Sequence, residues 1–237
     1  MQTVILAGGL GKRLMPLTMN IPKPMVTILG RPFLEYQIRW LKSKGIKKIL
    51  LLTGYKGDKI QSYFKDGSSL GVILSYSQET MPLGTGGSLK LAEKKLESSF
   101  LLVYGDSFLP IDLDELLQRF RAVNKVGMIV VCDSQQHDTG VPNNIHLDKE
   151  GFVAGYKKNS REPFFHYIDA GISVFKREVI ELIPKEREVS MEEEIFPCLI
   201  KNRELLGYIT QQRFYDIGTS ERIKIFEGFL RSNTIKF

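Results

Sequence analysis

Apolar runs alternate with amphipathic stretches through the first half of the chain. The apolar runs have the length of strands and fall at residues 3–7, 48–53, 72–76, 100–104 and 128–132. The stretches between them carry apolar residues at helical spacing and predict helices at residues 33–44, 58–64, 88–96 and 113–124. This order is typical of βαβ units, in which helices cover parallel strands. We therefore predict an α/β fold with a Rossmann-like, mixed and mostly parallel sheet flanked by helices.

From about residue 141 the pattern changes to short strands joined by turns. Strands are predicted at residues 144–147 and 152–156, on either side of a turn at residues 148–151. These strands predict a small antiparallel extension of the sheet. Ser190-Met191-Glu192-Glu193 is a capping box, which predicts that a helix begins there.

The predicted fold ends with a strand at residues 205–209, followed by a terminal helix that begins at Ser220. The whole chain has 237 residues, which is within the range of one large α/β domain. We therefore expect a single domain.

The charge of the chain suits an anionic small molecule. Lys and Arg number 33 against 27 for Asp and Glu, a net charge of +6 that is spread along the sequence. Because the positive charge forms no concentrated stripe, nucleic acid is not an indicated partner.

The cysteines and the hydropathy of the chain predict its compartment. Cys132 and Cys198 stand in apolar contexts without metal-ligand spacing, so two buried free thiols are expected. No apolar run has the length needed to span a bilayer, and no secretory leader is recognised. We expect a soluble cytoplasmic protein that has no membrane partner.

The first predicted strand runs into the glycine-rich stretch LAGGLGKRL at residues 6–14. Its glycines would let the backbone approach a ligand, and Lys12 and Arg13 add positive charge, which together suit a phosphate group. A Walker A loop is excluded because Arg13 stands where Ser or Thr is required. A dinucleotide fingerprint is disfavoured because Leu14 replaces a small residue. The alternative is a glycine-rich turn that only closes the strand.

Three charged residues stand in positions that favour chemistry. Lys23 lies between Pro22 and Pro24, which restrict the backbone that carries its ammonium group. Asp106 directly follows a predicted strand, and Asp216 precedes a Gly-Thr pair late in the chain. Two carboxylates and several cations suit a Mg²⁺-assisted reaction of a nucleoside triphosphate. An exposed lysine and two turn aspartates are the alternative.

Five motifs carry a resemblance to a known family. LAGGLGKRLMPLT, IPKPM, PLGTGGSLKLA, VYGDS and YDIGT, in this order, closely resemble the nucleotide-sugar pyrophosphorylases, also called sugar-1-phosphate nucleotidyltransferases. The GTGG stretch and the compact length resemble the heptose-1-phosphate guanylyltransferases in particular. As a whole, the chain most resembles guanylyltransferases that act on mannose-type or heptose 1-phosphates. The resemblance implies that a sugar-1-phosphate oxygen attacks the α-phosphorus of the triphosphate and expels pyrophosphate. No protein nucleophile is needed for this reaction.

The resemblance also assigns parts of the chain and single residues. It implies a nucleotide-binding part at about residues 1–132, a sugar-binding part at about 133–219 and a terminal helix at 220–230. Arg13, Lys23 and Asp106 are the implied catalytic residues, and Asp106 and Asp216 are the implied ligands of Mg²⁺. The implied nucleotide contacts are Leu6, Ala7, Gly8, Gly9, Gly11, Lys12, Arg13, Glu79, Gly84, Thr85 and Gly105. Lys12 is a departure, because the family usually has Thr there.

Glu79 is the predicted reader of the nucleotide base. Its carboxylate could accept from the ring N–H and the amino group of guanine at once, whereas the carbonyls of uracil or thymine would repel it. GTP is therefore the favoured triphosphate. The alternative is that Glu79 only caps the loop that follows it.

The sugar phosphate is expected to contact Gly140, Lys158, Asp169 and Gly171. The family commonly has a Glu-Lys pair where this sequence has Lys157 and Lys158, so the acidic partner of the sugar hydroxyls is replaced. Asp169 could accept hydrogen bonds from those hydroxyls instead, and the 138–140 segment resembles a further wall of the pocket. A solvated strand face is the alternative for the basic pair.

The expected partners are thus a nucleoside triphosphate and a heptose-type or mannose-type sugar 1-phosphate, and a homo-oligomer is left open. Three other functions also stay open. A uridylyl-, thymidylyl- or cytidylyltransferase would share the catalytic residues. A glycosyltransferase would use an Asp-x-Asp motif, which Asp112 and Asp114 match, although we interpret them as the start of a helix. A non-catalytic sugar-nucleotide sensor is the third, and the intact charged residues argue against it.

Overall fold

The computed structural model describes residues 1–137, 139–158, 160 and 162–232, which form two compact units. The first unit contains residues 1–82, 103–108 and 215–232, and the second contains the described residues of 83–102 and 109–214. The strands are β1 (Gln2–Ala7), β2 (Thr27–Ile28), β3 (Arg31–Pro32), β4 (Lys48–Thr53), β5 (Ile73–Gln78), β6 (Ser99–Tyr104), β7 (Ser107–Phe108), β8 (Gly127–Asp133), β9 (Ile145–Leu147), β10 (Val153–Tyr156), β11 (Tyr167–Lys176), β12 (Leu205–Thr210) and β13 (Tyr215–Asp216). The α-helices are α1 (Phe33–Ser43), α2 (Gly57–Phe64), α3 (Gly84–Leu91), α4 (Leu113–Val123), α5 (Phe196–Lys201) and α6 (Ser220–Ser232).

Three parallel strands organise the first unit. β4 lies between β1 and β5, with Ala7 opposite Thr53 and Thr53 opposite Gln78. β1 and β4 are apolar runs that are buried almost throughout, as expected of parallel strands covered on both faces. Because the strands end in register, the residues that follow them emerge at one edge of the sheet.

An aromatic cluster fixes α6 to the rest of the first unit. The fully buried ring of Phe226 lies 5.1 Å from Phe33 of α1 and 5.2 Å from Phe108 of β7, centroid to centroid. Tyr215 of β13 stacks on Phe229 of α6 at 4.2 Å. β13 in turn pairs antiparallel with β7. The cluster therefore holds α6 against this short two-stranded ladder.

The second unit is built around β8. This buried strand pairs antiparallel with β11 and parallel with β12. β9 and β10 pair antiparallel, and Tyr167 of β11 pairs with Ile145 of β9. The predicted antiparallel extension is confirmed by these strands.

The predicted fold class is confirmed as an α/β fold with a mixed, mostly parallel sheet, flanking helices and small antiparallel sheets. Two predicted helix starts are confirmed as well. Asp112 caps α4, because its Oδ1 accepts from the backbone N of Asp114 at 2.9 Å and of Glu115 at 3.2 Å. Ser190 Oγ accepts from Glu193 N at 3.1 Å and opens the helical segment that continues into α5. The functional division at about residue 132 stays a prediction.

One predicted helix differs from the structure, and a strand of the structure is not predicted from the sequence. The helix predicted from residue 88 is wrong in its start, because α3 begins at Gly84. No strand is predicted at residues 167–176, where β11 lies. The register of β11 against β8 shifts between Asp169 and Ser173, and Gly171 there has a φ of 77°. A bulge of this kind interrupts the alternation by which a strand is recognised.

The cysteines are both free, but only one is buried. Burial raises the pKa of the Cys132 thiol. The expectation that Cys198 is buried is wrong, because α5 buries Phe196 and Leu199 and leaves Cys198 on its exposed side. In the described part of the chain, no helix combines the length and the apolar composition needed to span a membrane.

Phe226→Ala is expected to lower the free energy of unfolding by about 3–5 kcal/mol, because it removes the centre of the aromatic cluster and leaves a cavity. Ile225→Ala, the next residue of α6, is the control, since Ile225 is 45% exposed. The control should change the free energy by less than about 0.5 kcal/mol. Urea unfolding can be followed by the fluorescence of Trp40, the single tryptophan, which lies 5.8 Å from Phe108. Equal losses in the two variants would contradict the packing role of Phe226.

Candidate active site

Gly8, Gly54 and Glu79 come together beyond the carboxyl ends of β1, β4 and β5. Glu79 N donates to Thr53 O at 2.9 Å. A Cβ on Gly54 would lie 2.5 Å from Glu79 Oε1, and a Cβ on Gly8 would lie 3.1 Å from the same atom. Both glycines therefore make room for this carboxylate, which lies against the backbone of two neighbouring loops.

The loop after β1 turns at Gly11 and leaves Gly9 open. Gly11 has a φ of 61°, a conformation that strains L side chains, and its carbonyl accepts from Thr18 Oγ1 at 2.9 Å. No heavy atom of the described residues, apart from its chain neighbours, lies within 4 Å of a Cβ on Gly9. Lys12 and Arg13 follow in a short 3₁₀ helix and are exposed. Backbone conformation explains Gly11, whereas Gly9 is where a ligand can approach the loop.

Gly105 lets the turn before Asp106 touch the end of β1. Gly105 N donates to Leu6 O at 2.9 Å, and a Cβ on Gly105 would lie 2.5 Å from that oxygen. Ala7, the last residue of β1, is fully buried beside this contact. The close approach therefore fixes Asp106 directly beyond β1.

Lys23 and Asp106 form a close ion pair. Pro22 is extended, and the buried residues Lys23, Pro24 and Met25 form a 3₁₀ helix that presents the ammonium group. Lys23 Nζ lies 2.6 Å from Asp106 Oδ2, with 10% of the lysine side chain and 37% of the aspartate side chain exposed. The proline-flanked Lys23 is therefore directed at Asp106, the carboxylate predicted to be a metal ligand.

The surroundings of Asp106 keep it ionised. Partial burial by itself would raise the pKa of this carboxyl. The charge of Lys23, hydrogen bonds from Lys23 and Ser107, and the charge of Arg13 outweigh that effect and hold the pKa of Asp106 below its usual value. Arg13 therefore acts on Asp106 through its charge.

Strand pairing brings Asp216 beside Asp106. β13 pairs with β7 so that Asp216 is opposite Ser107, and Ile217 N donates to Asp106 O at 3.0 Å. Asp216 Oδ1 also accepts from Gly218 N at 2.7 Å. The two aspartates, which are far apart in the sequence, are thus neighbours: Asp216 is on the ladder and Asp106 directly precedes it.

Arg222 neutralises Asp216 and was not singled out by any sequence motif. Its Nη1 lies 3.1 Å from Oδ1 and 3.2 Å from Oδ2 of Asp216. A Cβ on Gly218 would lie 3.2 Å from the same nitrogen and 3.6 Å from Arg13 Nη2. The first unit therefore gathers Arg13, Lys23, Asp106 and Asp216, and adds Arg222. The only signal for Arg222 is its position in the first turn of the helix after Asp216.

The predicted nucleotide contact Gly84 belongs to the second unit, where glycines open α3 against Val189. Gly86 N donates to Val189 O at 2.8 Å, and Val189 N donates to Leu83 O at 2.8 Å. A Cβ on Gly84 would lie 2.5 Å from Val189 O. This backbone contact explains why α3 can begin in a sequence of low helix propensity.

Thr85 is also engaged within the second unit. Its hydroxyl donates to Glu192 Oε2 at 2.8 Å and accepts from Met191 N at 2.8 Å. Ser190 Oγ donates to the same carboxylate oxygen at 2.7 Å, and Glu192 is buried. Glu192 is thus a buried acid that the sequence marks only as part of a capping box.

Asp169 lies in a polar network of the second unit. Tyr156 Oη donates to Asp169 Oδ2 at 3.1 Å, and Gly171 N donates to Asp169 Oδ1 at 2.8 Å. Asn144 Oδ1 accepts from Asp169 N at 2.8 Å. Burial, followed by the charge of Asp169, raises the pKa of Tyr156 well above its usual range, so its hydroxyl stays a donor. Sequence reasoning singled out Asp169 and Gly171 but missed Tyr156 and Asn144.

The other predicted sugar contacts are also in the second unit. Gly140 has a φ of 66° and follows the buried Thr139, whose Oγ1 accepts from Val141 N at 3.2 Å. Lys158 Nζ lies 3.1 Å from Glu193 Oε1, and both side chains are more than half exposed. Residue 138, named with this wall, lies outside the described residues.

Few of the described carboxylates lie close enough together to act as metal ligands. Over the described ranges there is no group of three or more His, Cys, Asp or Glu side chains that could hold a metal ion. Asp216 on the ladder and Asp106 directly before it nevertheless offer hard oxygen donors from two carboxylates. Because Mg²⁺ is usually held by one or two carboxylates together with substrate phosphates, this pair fits a divalent cation that shares its coordination with a phosphate ligand.

The chain is similar in sequence to known proteins over almost its whole length. The profile of the family described as nucleotidyl transferase matches residues 2–229. The mannose-1-phosphate guanylyltransferase of Mycobacterium tuberculosis is 36% identical over 224 residues, which are 92% of this chain and 61% of that protein. The D-glycero-alpha-D-manno-heptose 1-phosphate guanylyltransferase of Campylobacter jejuni is 33% identical over 224 residues, 93% of this chain and 96% of that protein.

A solved structure is also similar to almost the whole chain. HddC from Yersinia pseudotuberculosis, in complex with GMP-PN, has a TM-score of 0.79 and 28% identity, and the match covers 96% of this chain and 99% of that one. The chain spans about three fifths of the length of the mannose-1-phosphate guanylyltransferases that it matches and more than nine tenths of the heptose enzymes.

Lys23→Met is expected to raise the pKa of Asp106, because the burial of the carboxyl persists while the ammonium group that lowers its pKa is gone. In the wild type, the lowered pKa stabilises the fold fully above the unfolded-state pKa, and this contribution is lost as pH falls through the folded-state pKa. The measurement is ¹³C NMR of the aspartate carboxyls, with the Asp106 signal assigned from Asp106→Asn. Lys12→Met removes an exposed cation of the same unit as a control. An unshifted Asp106 titration in Lys23→Met would mean that Lys23 is not the cause.

Proposed function

Since the chain belongs to the nucleotidyl transferase family, we propose that it transfers a nucleotidyl group to a sugar 1-phosphate and releases pyrophosphate. The proposed triphosphate is GTP and the proposed sugar is of the mannose or heptose type, as the names of the relatives suggest. A cytoplasmic location is proposed with it, because nucleoside triphosphates are available there.

The observation that carries the proposal is the set of charges on the β7–β13 ladder. Lys23 pairs with Asp106 at 2.6 Å, and Asp216 is opposite Ser107, the residue that follows Asp106 and begins the ladder. Two anions, a triphosphate and a sugar phosphate, must approach each other in the proposed reaction. Carboxylates that can share a cation, next to a directed lysine, are the groups such a reaction requires.

The protein contributes charge and position rather than a covalent intermediate. A phosphate oxygen of the sugar 1-phosphate forms a bond to the α-phosphorus, and the bond from that phosphorus to the pyrophosphate oxygen breaks. Lys23 offsets the negative charge around the α-phosphate, and Arg13 offsets the charge that accumulates on the leaving pyrophosphate. Both roles use cations that are already preorganised in the first unit.

Mg²⁺ is the proposed cofactor, with Asp106 and Asp216 as its protein ligands. When bound, Mg²⁺ would supply Lewis-acid polarisation of the phosphate oxygens. In its absence the carboxylates are neutralised by Lys23 and Arg222. Lys23 is therefore available to turn from Asp106 toward a phosphate group once the carboxylate has another cationic partner.

The proposed nucleotide contacts divide into two kinds. Gly9 and the exposed cations Lys12 and Arg13 can meet the triphosphate directly, because the backbone of Gly9 is open. Leu6 and Gly105 are joined by a backbone hydrogen bond, Gly11 turns the loop, Gly8 leaves room for the Glu79 carboxylate, and Ala7 is buried. These five residues are proposed to support the loop. Glu79 is the proposed reader of guanine, since its carboxylate borders Gly8 at the start of this loop. Gly84 and Thr85 are retained as proposed contacts of the second unit.

The proposed sugar contacts are residues of the second unit. Asp169 keeps acceptor capacity for hydroxyl groups, and the Tyr156 hydroxyl fixes its orientation. Gly140 is exposed at a positive φ, whereas Gly171 has a positive φ, is buried, and contributes through the hydrogen bond that its N–H donates to Asp169. Lys158 adds an exposed cation for the sugar phosphate.

The deciding experiment is a matrix of GTP, ATP, UTP, CTP and dTTP against mannose, heptose and glucose 1-phosphates, measured by pyrophosphate release. The largest kcat/KM is expected for GTP with a mannose-type or heptose-type substrate. Asp216→Asn should lower kcat by at least about 10²-fold, because it removes a proposed ligand from an anionic reaction centre. Asp58→Asn makes the same change on an exposed residue and should leave kcat unchanged. No pyrophosphate from any pair would refute the proposed activity.

Glu79→Gln is expected to shift base preference while transfer continues. The amide can donate to a carbonyl of uracil or thymine and no longer accepts twice from guanine. The ratio of kcat/KM for GTP over UTP should fall by at least about tenfold, which corresponds to ~1.4 kcal/mol. Glu181→Gln, the same change at an exposed site, is the control. An unchanged ratio, or a wild type that prefers a pyrimidine triphosphate, would exclude Glu79 as the guanine reader.

A further inference from the structure

The side chain of Gln37 spans the turn that carries Asp106. Its Nε2 donates to Tyr104 O at 2.8 Å and to Ser107 O at 2.6 Å, and Gln37 is 1% exposed. The two carbonyls belong to the residues on either side of Gly105-Asp106. One side chain from α1 therefore holds both ends of this turn.

The amide nitrogen of Gln37, and not its amide oxygen, must make this contact. It carries two N–H donors, and the amide oxygen in the same place would repel both carbonyls. Among the described residues, Gln37 Oε1 has no hydrogen-bond partner. A buried acceptor without a partner is unfavourable, so a role in core packing alone would be better served by an apolar side chain.

The turn held by Gln37 also fixes the second aspartate. Asp106 O accepts from Ile217 N at 3.0 Å, and Ser107 is opposite Asp216 on the β7–β13 ladder. A shift of Tyr104 or Ser107 would therefore move both carboxylates. These two hydrogen bonds of the Gln37 side chain go to backbone carbonyls and not to either carboxylate.

We propose that Gln37 is a positioning residue that sets the separation of Asp106 and Asp216 for nucleotidyl transfer. This inference rests on the proposed function for its catalytic consequence, but its structural part does not. Gln37 acts through the backbone of the turn, so its loss would displace the carboxylates without removing any charge from them.

The test is Gln37→Met, which keeps the length of the side chain and removes both donors. Tyr36→Phe is the matched control, because it removes another buried donor of α1, the Tyr36 hydroxyl that donates to Ile28 O at 2.8 Å. Thermal unfolding measures how much each variant destabilises the protein. Hydrogen–deuterium exchange then measures local opening of peptides that cover residues 103–108 and 215–217.

Gln37→Met is expected to accelerate exchange in these two segments by at least about tenfold relative to Tyr36→Phe. It should also lower kcat by about 10- to 100-fold and raise the Mg²⁺ concentration needed for half-maximal rate, as expected for displaced reacting groups. The proposed contacts of the sugar 1-phosphate lie elsewhere, so its KM should stay within about twofold of the wild-type value. A twofold change corresponds to ~0.4 kcal/mol.

Three outcomes would overturn the inference. They are unchanged exchange in both segments, exchange that rises equally across the first unit, and local acceleration with wild-type kcat. If the wild type transfers no nucleotide to any sugar phosphate, the proposed function fails while the exchange experiment still tests the hold of Gln37 on the turn.

Discussion

The pairing of β7 with β13 is the constraint on which the first unit depends. It brings Asp216 of β13 opposite Ser107, the residue that follows Asp106, so that two carboxylates from distant parts of the chain lie at the same ladder. Like charges in such positions disfavour each other's ionisation unless cations compensate them. Lys23 and Arg222 provide this compensation, which explains why a stiff proline-flanked segment and the first turn of α6 are both directed at the ladder. Positive charge from the protein itself therefore offsets the negative charge of the two carboxylates.

Glycine serves different purposes at different positions of this fold, and only one of the positions compared next points to a ligand. At Gly11 it permits a left-handed backbone, and at Gly84 and Gly105 it permits contact with a neighbouring carbonyl. At Gly9 neither reason applies among the described residues, since the φ is not positive and the surrounding space is open. A glycine-rich motif is thus a mixture of structural and ligand-binding positions, and the contacts of each residue separate them.

Local patterns were sufficient for most of the fold and for part of the site. The apolar runs of β1 and β4 and the cap at Asp112 are properties of short segments, so the sequence could predict them. The start of α3 is set by a contact with Val189 that lies far away in sequence, and this contact overrides the low helix propensity of glycine. Arg222 and Gln37 could not be found for the same reason, because their partners are defined only by the folded backbone. The contacts of the nucleotide and the sugar stay predictions.

The first unit is discontinuous in sequence, because all residues of the second unit lie between residues 82 and 215 of the chain. On a ribosome, β1, α1 and Lys23 are therefore made long before the strand and the helix that complete their ladder. Closing so long a loop carries an entropy cost that local contacts cannot offset. Until then the aromatic faces of Phe33 and Phe108 lack Phe226, and the nascent chain has apolar surface to protect. The charged centre is consequently completed only after residues 83–214 have been synthesised.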